Sequence, residues 1–269
     1  MRFPKILSIF SLVLLLAGCS TLTEDETAEW DAEKFYQTAK EALDSGDYAT
    51  AIDYYTKLEA RYPYGRYAQQ AQLETIYAHY KAQEPATAVA AADRFIKLHP
   101  RHPSVDYAYY LRGLATFNQG ENLMEKVFPM DRSLRDPATI RESFNYFKAL
   151  VTSFPESRYV PDAVKRMKQL RNYLARHELH VADYYLRRGS YLAAANRAKY
   201  VLENYQQSTA IPEALVIMVK AYRRMDMTDL ANDALRVLEK NHPDHPDLAE
   251  LKEGGTAGET PDTPQEQGE

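Results

Sequence analysis

Five times along this chain a helix-stopping residue follows a small side chain at a fixed distance of twelve positions. The stops are Pro63, Pro100, Pro155, Gln206 and Pro243, and the small residues are Ala51, Ala88, Ser143, Ala194 and Ala231. A small side chain kept in register with a helix end marks a point where two helices cross closely. Before the first stop, Gly46-Asp47 breaks the chain and a helical stretch then places Ala51 and Tyr55 on one face. Upstream of that turn, Phe35, Thr38, Ala39 and Ala42 recur at helical spacing, so the unit is a pair of amphipathic helices. One such pair cannot bury its own apolar face, and roughly three or more must stack. The chain is therefore read as all-α.

The unit resembles a tetratricopeptide repeat, and the expected fold is an α-solenoid of five tetratricopeptide-like helix pairs. In the last pair Leu215, Met218, Val219 and Tyr222 occupy the leading helix's packing slots, with Leu235 in the trailing one. The stops are 37, 55, 51 and 37 residues apart, against a repeat of roughly 34. The third and fourth pairs thus carry insertions, which in solenoids mark what the particular protein does.

Residues 1–18 read as a signal peptide, with Arg2 and Lys5 ahead of an apolar run from Ile6 to Leu16 that is too short to span a bilayer. The tetrapeptide Leu16-Ala17-Gly18-Cys19 resembles a bacterial lipobox, which implies diacylglycerol on Cys19, the only cysteine. Several acyl chains would then give stable anchoring. Ser20, where an Asp would favour retention in the inner membrane, points by the same resemblance to the periplasmic face of the outer membrane. Residues 19–33 are expected to be a lipidated acidic tether and 252–269 a disordered acidic tail. Of 33 basic and 38 acidic side chains, the body left after removing the leader and these two segments keeps 30 and 27. The overall acidity belongs to the ends, and no nucleic-acid reading follows from it.

Between them lie repeats 1–3 (34–157, the substrate or peptide side) and repeats 4–5 (158–251, the docking side). A helix is expected over 66–83 with Leu73, Ile76, Tyr77 and Tyr80 inward, and Pro85 opens the next. The third pair's leading helix carries Tyr107, Tyr110, Leu111, Leu114 and Phe117 on one stripe, with Tyr109 and Arg112 off it. An excursion over 119–136 follows, expected to fold back or meet a partner, and ends at Asp136-Pro137, an N-cap followed by a favoured first helical residue. The fourth pair opens with a helix from about Pro161 to Arg188. Residues 158–199 hold ten basic side chains against three acidic ones, Asp162, Glu178 and Asp183. That excess predicts a docking surface for an acidic protein or anionic headgroups.

The blocks RYPYGRYAQQAQLETIYAHYK (61–81), DRFIKLHPRHPSVDYAYYLRGL (93–114) and MDRSLRDP (130–137) resemble the repeat-built lipoproteins of the β-barrel assembly (Bam) machinery. The likeness implies a scaffold without a catalytic step that helps insert β-barrels into the outer membrane. It implies binding to the membrane-proximal periplasmic domain of the insertase BamA through the C-terminal repeats. Contacts with other Bam lipoproteins and with unfolded β-barrel substrates are implied for the N-terminal ones. Arg197, in the trailing helix of the fourth pair, is the first candidate for the BamA contact, followed by Arg187 and Arg188. An alternative is a periplasmic repeat adaptor for peptidoglycan-synthesis enzymes, since a solenoid does not fix its partner.

No cofactor, catalytic residue or metal site is expected. His177 and His180 are three apart, whereas a helical zinc pair needs four, and His99/His102 and His242/His245 flank prolines. The tyrosines mostly occupy packing slots, but Tyr36 and Tyr109 are candidates to cradle an extended, aromatic-ended peptide.

Overall fold

A computed structural model describes residues 26–119 and 131–253. The leader, Cys19, most of the 119–136 excursion and the tail from 254 lie outside the described residues. Among those described there are eleven α-helices, one short 3-10 turn and no strand. Ten of the helices form the five pairs: α1 (Ala32–Ser45) with α2 (Tyr48–Arg61), α3 (Arg66–Lys81) with α4 (Pro85–Leu98), and α5 (Val105–Phe117) with α6 (Pro137–Ser153). The last two are α7 (Val160–Arg187) with α8 (Tyr191–Asn204) and α9 (Ile211–Arg224) with α10 (Thr228–Asn241). A short α11 (Leu248–Glu253) ends the described chain. Each small residue twelve before a stop is buried, from Ala51 to Ala231. The chain divides into two compact units at Ala71/Gln72, inside α3.

The first unit packs Phe35, Ala39 and Leu43 of α1 against Ala51, Tyr55 and Leu58 of α2. Its N-terminal segment is not the solvated tether expected up to residue 33. Thr27 is buried, Arg61 donates to the carbonyls of Thr27 and Ala28, and the Tyr62 hydroxyl donates to the Trp30 carbonyl at 2.8 Å. Trp30 stacks on Tyr54 with ring centroids 5.5 Å apart. An indole among acidic residues is a large apolar surface with one donor, and docking it against α2 removes that surface from water.

In the second unit every helix from α5 to α10 packs on the ones before and after it in the chain. One core runs from Leu73 and Ile76 through Phe95, Leu111, Phe147 and Leu174 to Val201 and Ile217. α5 and α6 approach so closely that a Cβ on Gly113 would lie 2.6 Å from Phe147 Cε1. Beyond α10, Leu248 and Leu251 of α11 cover Leu215, Val216 and Val219 of α9 and Ala234 and Leu238 of α10. This is the cap a one-dimensional stack needs at its end.

Two kinds of joint recur. Within four of the pairs a left-handed residue ends the first helix: Gly46, Gln83, Gly189 and Asp226, with φ of 84°, 63°, 75° and 59°. The next amide closes back on the helix, as Asp47 N does to Ala42 O and Met227 N to Tyr222 O. The third pair has the long excursion there instead. Between pairs, the trailing helix is capped by a ring residue, Tyr62, His99, Phe154, Tyr205 or His242, with φ between −128° and −140° and ψ between 41° and 69°. Three positions on, the side chains of His102, Ser157, Ser208 and His245 accept the amide two residues further along. The first junction has Gly65 at that place.

Candidate partner-docking site

α7 is long because nothing interrupts it. After Pro161 in the first turn no Gly or Pro occurs until Gly189, and Ala163, Leu170, Leu174, Ala175, Leu179 and Ala182 supply a continuous buried stripe. Its 28 residues span about 42 Å at 1.5 Å each. The one acidic side chain in the stripe is Glu178. Its carboxylate is 12% exposed and accepts from Arg197 Nη1 at 3.0 Å, across to α8, while the Arg197 side chain is 49% exposed. A nearly buried carboxylate requires such a partner, and the guanidinium has five donors, which leaves it further ones toward solvent.

Of the other candidates, Arg187 Nε pairs with Asp183 at 3.0 Å, and Arg188 Nε donates to the Tyr184 hydroxyl at 3.3 Å with the guanidinium over that ring. Both lie at the C-terminal end of α7, where the helix dipole favours cations. Arg166 takes Asp162, and Lys199 takes Glu203. The three acidic side chains of 158–199 are thus each used by one arginine. Arg158, Lys165, Lys168, Arg171 and Arg176 have no acidic partner within 4 Å among the described residues.

Asp162 also ties α7 to α5. Tyr110 donates its hydroxyl to Asp162 at 2.7 Å. Burial, together with that hydrogen bond, pushes the Tyr110 phenol up to about 12. Burial works against the Asp162 charge, but the donors Tyr110 and Arg166 outweigh it and hold the carboxyl below its ordinary range.

His177 and His180 hold the returning end of the excursion. The 3-10 turn Arg132–Leu134 lies on α7. His177 Nδ1 is 3.0 Å from the Ser133 carbonyl oxygen, and His180 Nε2 is 2.8 Å from Ser133 Oγ. Ser133 is fully buried, and Asp131 accepts from both its amide and its hydroxyl. Three-residue spacing puts both imidazoles on one face, and here that face holds the returning end of the excursion. Beyond it, a groove of about 330 Å³ between α7 and α9 is floored by Leu179, Val216 and Ile217.

Tyr36 packs against Tyr55 and Tyr67, with centroids 6.0 and 5.4 Å apart. Tyr109 meets Phe154 edge-on at 5.2 Å and lies under Arg112. Both are half-buried in their own units.

Stacked helix pairs presenting a set of cations without local counter-charges define a helical-repeat protein with one strongly basic pair. The chain belongs to the YfiO family of outer membrane lipoproteins, whose profile matches residues 28–238. The outer membrane protein assembly factor BamD of Neisseria meningitidis serogroup B is 46% identical over 244 residues, covering 89% of this chain and 91% of its own length. The BamD of Vibrio cholerae is 36% identical over 241 residues, covering 90% and 99%. Among solved structures, the MamA protein aligns over 86% of this chain and 98% of its own at 13% identity and a TM-score of 0.37. The family assignment rests on the sequences.

Proposed function

We infer that this protein is an outer-membrane-protein assembly factor: a scaffold subunit of the Bam complex at the outer membrane, anchored by lipid on Cys19 and facing the periplasm. Its fourth helix pair docks an acidic surface of the membrane-proximal periplasmic domain of BamA. Arg197 leads that contact, with Arg187 and Arg188 beside it. Tyr36 in the first pair and Tyr109 in the third each receive aromatic-ended segments of unfolded barrels, and the N-terminal repeats also meet other Bam lipoproteins. The observation that carries the reading is Arg197 itself, half exposed yet fixed by the nearly buried Glu178. Such a guanidinium is pre-oriented for a second carboxylate.

Arg197→Glu should sharply reduce co-purification of BamA from solubilised membranes while the helical content stays unchanged. Undiminished BamA recovery, or capture of cell-wall synthases in its place, would overturn the proposal. Replacement of Cys19 by Ser should release the protein from the membrane fraction.

A further inference from the structure

Three of the four cations of α7 that lack an acidic partner share one helix face. Lys165, Lys168 and Arg176 are all exposed and stand at helical spacings of three and eight residues, so they form a stripe about 16 Å long. Neither lysine takes part in an ion pair or hydrogen bond among the described residues, and the acids nearest in sequence, Asp162 and Glu178, are engaged by Arg166 and Arg197. The same chain supplies a complementary segment. After Lys252, residues 253–269 contain Glu253, Glu259, Asp262, Glu266 and Glu269 and no basic residue.

That segment leaves the fold beside the last turn of α9, where Arg223 donates to the Leu251 carbonyl at 2.6 Å, on the rim of a groove that reaches the C-terminal member of the stripe. Asp247, just ahead of α11, lines the groove that Arg176 also lines, and it pairs with Lys220 of α9 at 3.6 Å. α11 then adds only six residues, about 9 Å. The sixteen residues 254–269 can span roughly 53–58 Å when extended, well beyond the length of the stripe. The groove itself repels such a segment, because Asp131, Asp183, Glu213 and Asp247 all line it. The electrostatic match lies further along, on the N-terminal half of α7.

We propose that the acidic segment 254–269 docks on the basic face of α7 around Lys165, Lys168 and Arg176, and competes there with acidic partners of the fourth pair. Tethering supplies a local concentration on the order of millimolar, so even contacts that would be negligible between separate molecules keep the face partly occupied. Long exposed ion pairs are individually weak and salt-sensitive. The expected consequence is therefore modest: about two- to fivefold weaker partner binding at low salt, vanishing near molar salt. That consequence rests on BamA being the partner; the docking does not.

Carbodiimide treatment of the dilute full-length protein, followed by mass spectrometry, tests the docking directly. Amide links should join Glu259, Asp262 or Glu266 to Lys165 or Lys168 within one molecule, and should fade at high salt. The triple variant Glu259→Gln, Asp262→Asn and Glu266→Gln should bind the periplasmic fragment of BamA about two- to fivefold more tightly than the unaltered chain at low salt, and equally at high salt. Links from this segment mainly to other lysines, links between molecules, or links to Lys165 and Lys168 that come instead from Glu24 or Glu26 would overturn the docking. Links as expected with unchanged BamA affinity would overturn the competition. If neither protein binds BamA while the links form, it is the insertase reading that fails.

Discussion

The fourth and fifth helix pairs are built on the same joints yet differ in nearly everything exposed. Both turn through a left-handed residue, Gly189 or Asp226, and both trailing helices end at a ring residue, Tyr205 or His242. The fifth pair is regular, with 14 residues in each helix, and residues 211–241 carry five basic and five acidic side chains. The fourth doubles its leading helix to 28 residues and carries an excess of seven positive charges over 158–199. Joints and crossing points therefore set the fold, while added length and unbalanced charge set the fourth pair apart from the fifth. A solenoid allows this because each pair answers only to its neighbours.

The largest expected effect tests the shared part. Ala194 and Ala231 are both buried at crossing points, so Ala194→Leu and Ala231→Leu should each destabilise by about 1–3 kcal/mol through overpacking, read by urea unfolding. Tolerance at one alone would mean that the two pairs cross differently. The unshared part is tested next by binding. Arg197→Glu should weaken association with the BamA periplasmic fragment about tenfold, ~1.4 kcal/mol. Arg236→Glu in the fifth pair, where the exposed Arg236 pairs with its neighbour Asp233, should change it less than about twofold.

A smaller effect separates the two kinds of junction acceptor. Burial, reinforced by the neighbouring His99, lowers the His102 pKa from its ordinary 6.5. A histidine held neutral in the fold contributes stability that is present above that value and lost as the pH falls through it, because the unfolded chain then binds the extra proton. His102→Ser, which installs the acceptor already used at Ser157 and Ser208, should reduce the loss of stability between about pH 7 and 5 in unfolding titrations. Smallest is the turn residue. Asp226→Gly should stabilise by up to ~1 kcal/mol and Gly189→Ala should cost about as much, because a Cβ is strained at positive φ. Insensitivity at one position alone would break the equivalence of the two turns.

Much of this was legible from spacing. The buried small residues, the Pro85 and Pro137 helix starts and the length of α7 all follow from periodicity and punctuation, which act within a few residues of where they are read. Other features were hidden for identifiable reasons. Gln83 and Asp226 do the work of Gly46 and Gly189 but carry no glycine to betray the left-handed backbone. The ring cap and the acceptor three positions later use different side chains for one role, and Gly65 breaks the series. Segment 26–31 looked like an acidic tether because its one apolar anchor, Trp30, is outnumbered.

The sequence by itself determined a stack of five helix pairs, with its charge concentrated in the fourth and its acids at the two ends. Those properties are sums and periods along one dimension. Only the tertiary structure decided which cations are already engaged, because an ion pair such as Glu178 with Arg197 joins residues 19 positions apart that meet only when α8 folds back on α7. For the same reason it alone decided that His177 and His180 each turn one nitrogen to Ser133, more than forty residues away.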